Sequence, residues 1–250
     1  MIYIILIQIL IILLLVYYIY NKFNKIIKTN TIDNNMTKIT RGKLKNGLKY
    51  IINNTKCGNQ ITIMIFVKLG SRDENHKENG IAHVLEHMMF HGTSKYPSSQ
   101  LLHEEIDKYG AEFNAYTSLD VTCYYITIHP DYIEKAIEIL SILYLNSLIN
   151  ENNLEKEKKV VVNEILKHKS NPKRAVQEEI ISMIMKNTPM ENNIAGTIKN
   201  VENFKRETIM KFLNYFYDPK NSVLSIAGYY NNNTKLLKYL DEYFSNNINY

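Results

Sequence analysis

The chain has 250 residues, with 30 basic and 25 acidic side chains giving a net charge of +5, and 45% of it is apolar. That length supports one full hydrophobic core behind a short N-terminal segment, and the composition excludes a disordered chain. Its charges are spread rather than blocked, as where Lys156, Lys158 and Lys159 alternate with acids, and with no nucleic-acid motif present a nucleic-acid partner is not expected.

Residues 2–20 are almost wholly apolar, interrupted mainly by Gln8 and closed by Tyr17, Tyr18 and Tyr20. Nineteen residues at ~1.5 Å each span about 28 Å, close to the hydrocarbon thickness of a bilayer. The tyrosines stand where an interfacial belt would. No basic leader precedes the run and no small-residue cleavage site follows it, which argues against a cleaved signal peptide. Residues 1–21 are therefore expected to form a single-pass transmembrane anchor, and 22–36 a polar linker. Lys22, Lys25 and Lys28 place the following domain, residues 37–250, on the cytoplasmic side by the positive-inside rule.

Residues 38–53 read as a hairpin turning at Asn46-Gly47, and 60–69 as a buried strand leading to the Gly70 turn. A helix over 98–109 precedes a strand pair at 112–119 and 121–129. Long helices follow at 131–148 and 152–170, with another after the proline break at 172. The last third reads as a short helix from Val201, a helix over 206–217, a strand over 222–227 and a closing helix over 235–244. Strands interspersed with packed helices predict an α+β domain with one mixed or antiparallel sheet covered on one side by helices. Cys57 and Cys123 lack metal spacing and read as free thiols, with a single disulfide as the alternative.

The chemistry is concentrated in His83-Val84-Leu85-Glu86-His87. On a helix, His83, Glu86, His87 and Phe90 fall within about 100° of arc, while Ile81, Val84, Leu85, Met88 and Met89 fill the opposite, core-facing arc. Two imidazoles four residues apart can bind one ion, and Glu86 beside them can take a proton from water. This is the inverted order of the zinc-protease signature. A catalytic zinc needs a third protein ligand, and the helix over 152–170 offers Glu157 and Glu164 on one stripe. His168, one turn past Glu164, and His91, one turn past His87, are rivals.

The run Gly70-Ser71-Arg72, the block from Gly80 to Thr93, Tyr96-Pro97-Ser98, Phe113 to Ser118 and the Glu157…Glu164 pair together resemble the pitrilysin family. That family includes insulysin and the catalytic subunit of the mitochondrial processing peptidase. The resemblance runs from about Thr37 to the C-terminus. It implies a LuxS/processing-peptidase-like metallopeptidase domain that binds one Zn2+ through His83, His87 and Glu164. It further implies Glu86 as general base, and Glu157 matches a second family glutamate that would orient a ligand. In the family, an extended substrate adds to the edge of the strand matching residues 113–117, which makes Asn114 and Ala115 the expected substrate contacts.

The expected function is therefore a membrane-anchored zinc endopeptidase acting on short or unfolded peptides. The rival expectation is an inactive or half-site subunit serving as an interaction partner. Family members usually carry a further homologous domain over the metal site, so a second chain or copy is expected to supply that lid. A zinc deaminase would need a paired-cysteine motif that is missing.

Overall fold

The computed structural model describes residues 37–55 and 58–245. The Asn46-Gly47 turn closes the first hairpin as its chemistry dictates. Gly47 adopts φ 99°, and the Leu48 N–H donates to Asn46 Oδ1. Strands β1 (Thr37–Lys43) and β2 (Lys49–Thr55) flank the turn. In β3 (Ile61–Val67), strict alternation buries Ile61, Ile63, Ile65 and Val67. Each such side chain contributes ~1.5–3 kcal/mol when removed from water.

Next come the metal-motif helix α1 (Ile81–Met89) and α2 (Ser99–Asp107), the latter capped by the Ser98 side chain. The hairpin of β4 (Glu112–Thr117) and β5 (Thr122–Ile128) leads to α3 (Ile133–Asn146). Helices α4 (Glu151–Ser170) and α5 (Pro172–Ile184) are separated by Asn171, whose side chain caps α5 just ahead of Pro172. Helix α6 spans Ile198–Asn203, α7 spans Arg206–Phe216, β6 spans Ser222–Gly228 and α8 spans Asn233–Phe244.

The sheet order is β1-β2-β6-β3-β5-β4. Strand β6 runs parallel to β2 and antiparallel to β3, and the β3–β5–β4 pairs are antiparallel. The sheet is thus mixed, as expected. Helices α1 and α3 pack on its buried face, and α8 packs on α3. Inside that layer, the Tyr124 and Tyr217 hydroxyls satisfy each other at 2.6 Å. In this order β1 and β4 are outermost.

Helix α6 starts three residues before the expected Val201, because Thr197 Oγ1 accepts the Asn200 N–H and sets the N-terminus there. Among the described residues no helix is long and apolar enough to cross a membrane. The expected span, the linker and Cys57 lie outside the described residues, while Cys123 is buried.

Candidate metal centre

Helix α1 begins without a Ser, Thr, Asp or Asn cap. Gly80 takes φ 99°, and a Cβ there would stand 2.8 Å from the Ala195 carbonyl oxygen, so only glycine fits the turn. The cap comes instead from the preceding loop. Buried Glu74 accepts hydrogen bonds from the Gly80 N–H, the Ala82 N–H and Asn79 Nδ2, each at 2.8–2.9 Å. Burial pushes its carboxyl up to about 8, against the opposing pull of those donors.

The polar arc of α1, opposite its core-facing side, presents the imidazoles and the carboxylate as expected, and it is largely enclosed: His83 is 9% and Glu86 8% exposed. Helix α4 and strand β4 pack across that arc and form its walls. Phe90 leaves the imidazole arc to pack on Phe113, ring centroids 4.9 Å apart.

Glu164 reaches the histidines from α4. Its Oε2 lies 3.7 Å from His83 Nε2 and 3.7 Å from His87 Nε2. One donor atom from each residue lies within 4.8 Å of the others. Zinc bonds of ~2.0–2.2 Å set tetrahedral donors about 3.3 Å apart, so this set fits one zinc ion with a position left for water. Two imidazoles and one carboxylate are also the donor chemistry of such a site. This structure contains no other group of His, Cys, Asp and Glu with such spacing among the described residues.

Glu157, on the same helix, holds the outer side of the site. The His87 Nδ1–H donates to its Oε2 at 2.9 Å, and His91 Nε2–H donates to its Oε1 at 2.7 Å. This leaves His87 Nε2 facing Glu164. Burial alone would raise the Glu157 pKa, but the two imidazoles bring it down to about 2. His87 responds in the opposite sense: burial would lower its pKa, and the Glu157 hydrogen bond with the nearby carboxylates raises it. Burial and the neighbouring His87 hold His83 well below the usual histidine value. The rival His91 is thereby engaged by Glu157, away from the Glu164 cluster.

Glu86 stands on α1 between the two histidines, with Thr117 Oγ1 of β4 donating to its Oε2 at 2.7 Å. Burial raises its pKa while the threonine moderates the rise. A carboxylate tuned upward and fixed at one oxygen is suited to take and return a proton at the other. Thr117 was not singled out among the site residues in the sequence, although it lies in the Phe113–Ser118 match; its role depends on the packing of β4 against α1.

These groups line a cleft of about 300 Å³, which Ala115, His168 and Arg174 also border. Ala115 is half-buried on β4, while Asn114 is exposed and turns its Oδ1 to the Ala115 N–H at 2.8 Å. Of the two expected substrate contacts, the structure therefore brings Ala115 to the cleft and leaves Asn114 at the strand's surface.

The insulinase family model (peptidase family M16) matches residues 49–198. A protein of Rickettsia bellii named an uncharacterized zinc protease is 39% identical over 186 residues, 74% of this chain and 45% of that protein. The mitochondrial-processing peptidase subunit beta of Dictyostelium discoideum is 32% identical over 210 residues, covering 84% and 44%. In fold, the crystal structure of a protease from Helicobacter pylori superposes with a TM-score of 0.79 at 24% identity, covering 86% of this chain and 52% of that one. The chain spans about half the length of the relatives it matches.

Proposed function

This chain belongs to the insulinase family, peptidase M16, a family of zinc-dependent peptidases, and from that membership we propose that it hydrolyses peptide bonds at the α1–α4 cleft. The observation that supports this reading is the approach of His83, His87 and Glu164 to one another with Glu86 alongside. His83 Nε2, His87 Nε2 and Glu164 Oε2 would hold the zinc. The ion supplies a Lewis acid that polarises the scissile carbonyl and acidifies water. Glu86 takes the proton of the attacking water and returns it to the departing amine, while Thr117 keeps its second oxygen in place. Glu157 fixes the His87 ring so that Nε2, not Nδ1, faces the cleft.

Strand β4 is outermost in the sheet beside the cleft, which supports an extended peptide pairing along its edge near Ala115. Main-chain pairing of this kind makes little demand on side chains and suits short or unfolded polypeptides. The matched relatives are about twice as long as the stretch they share with this chain, which supports a second homologous half closing over the cleft, on the same polypeptide or a partner's. Retention of His83, Glu86, His87 and Glu164 favours an active subunit over an inactive scaffold. The apolar run at 2–20 supports a single-pass anchor, and Lys22, Lys25 and Lys28 after it support a peptidase domain on the cytoplasmic side, which protease protection in sealed vesicles tests.

Metal analysis combined with hydrolysis of a quenched-fluorescence peptide tests the central reading. One zinc per chain, loss of cleavage on chelation and its return with added zinc are expected. The test is run on the domain alone and on the native membrane assembly: metal-free protein bound to a partner would favour the scaffold, and failure to bind zinc would remove the site.

A further inference from the structure

Glu164 has two carboxylate oxygens, and the structure gives them different neighbours. Oε2 faces His83 and His87, each at 3.7 Å, whereas Oε1 lies 3.3 Å from His168 Nε2. His168 sits four residues further along α4, so its ring and the Glu164 carboxylate share one helical stripe. The ring is mostly enclosed, its side chain 15% exposed. Its other nitrogen, Nδ1, is buried with no hydrogen-bond partner. A buried imidazole with a single polar contact carries its proton at that contact, since a bare ring nitrogen is the group that can stay unpaired. A proton on Nε2 would stand beside Glu164 Oε1, 3.3 Å away.

We propose that His168 is a positioning residue that engages Glu164 Oε1 and leaves Oε2 alone to face the two metal-binding imidazoles. This inference rests on the zinc-site reading above. A carboxylate free at both oxygens can rotate about its terminal bond and present either edge, or both, to an ion. Held at Oε1, Glu164 enters the site as a one-oxygen donor and keeps a position open beside Glu86. Glu157 does the corresponding job for His87, so a ligand on each of the two helices is contacted by a residue of α4. His168 was a rival ligand on sequence spacing. Its Nε2 lies 3.3 Å from the ligand's far oxygen instead, which is where an orienting group belongs.

The test uses the full chain and zinc alone, with affinity measured by competition against a chelating indicator. His168→Leu keeps the bulk and removes the donor. His168→Gln keeps an N–H close to the Nε2 position. Zinc affinity is expected to fall about 10–100-fold in the leucine variant and to return to within about threefold of the parent in the glutamine variant. X-ray absorption of the zinc-loaded parent is expected to show two imidazoles and a one-oxygen carboxylate. Thermal unfolding of the metal-free proteins identifies a variant that has lost its fold, in which case the glutamine variant and the parent spectrum decide. An unchanged affinity in His168→Leu would overturn the proposal. So would a loss that glutamine does not restore, or a spectrum with a third imidazole, since both put His168 on the metal itself. A parent protein that fails to bind zinc would instead sink the zinc-site reading.

Discussion

His87 Nδ1 lies 2.9 Å from Glu157 Oε2, and the same carboxylate accepts His91 at its other oxygen. One acid on α4 therefore determines which nitrogen of a histidine on α1 is turned to the cleft. Replacing Glu157 with Gln leaves one acceptor for two rings and frees the His87 tautomer. Zinc affinity is expected to fall about tenfold or more, with the fold retained. Isothermal titration with zinc, set beside the circular dichroism of the apo protein, measures both.

Glu86→Gln separates the base from the ligands. The variant should bind zinc as the parent does, while turnover drops by about 10²–10⁴-fold. Removing His83 or His87 should instead remove the metal. Full activity in the glutamine variant would dismiss Glu86 as the base.

Thr117→Val removes a donor to the ionised form of Glu86. The Glu86 pKa should rise further, because the threonine's hydrogen bond no longer opposes the effect of burial and only the nearby His87 does. Since the base must be deprotonated to act, the acidic limb of the kcat/KM profile should move to higher pH. An unmoved limb would show that Thr117 does not tune the carboxylate.

Glu74→Ala leaves the buried N–H groups of Gly80 and Ala82 without acceptors. A loss of about 3 kcal/mol in unfolding free energy is expected, read by urea denaturation. The pH dependence has a definite sign. The folded pKa of about 8 lies above the ordinary value of 4.5, so the folded state holds the proton more tightly. Its contribution is complete below about pH 4.5 and disappears as pH rises through 8. The parent should lose stability across that window, and the alanine variant should lack that component of the slope.

Glu138, 8% exposed, is bonded by Lys95 and lies 2.7 Å from Lys135. Burial would raise its pKa, but the two ammonium groups hold it below the usual glutamate value. Its contribution is therefore present above about pH 4.5 and is lost as pH falls below it. Glu138→Gln should cost about 2 kcal/mol at neutral pH and reduce the protein's acid sensitivity. Equal urea midpoints at pH 7 would contradict this.

Much of this fold was legible because local chemistry governs it. The Asn46-Gly47 turn, the alternation of β3 and the apolar arc of α1 each specify their element over a few residues. The start of α6 was misplaced although its Thr197 cap is also local. The sheet order could not be read in the same way, since β6 enters between β2 and β3 from far along the chain. Nor does helical periodicity bring Glu164 to His83; family resemblance suggested that pairing. By the same limit, nothing in residues 81–89 reveals that α4 and β4 will cover the polar arc of α1. Glu74 reaches its helix across a loop, outside any capping pattern readable by spacing.

The position of β4 at the rim of the sheet has a price in colloidal behaviour. An outermost strand is accessible to the strands of other copies, the usual start of edge-to-edge association. Glu112 stands exposed on this strand, and Asn114 turns its own side chain onto the Ala115 N–H. The Asn114 side chain thus occupies one main-chain donor of this strand, and Glu112 adds a charge beside it. Under the peptide pairing proposed above, aggregation resistance and substrate entry are set against each other along this one strand.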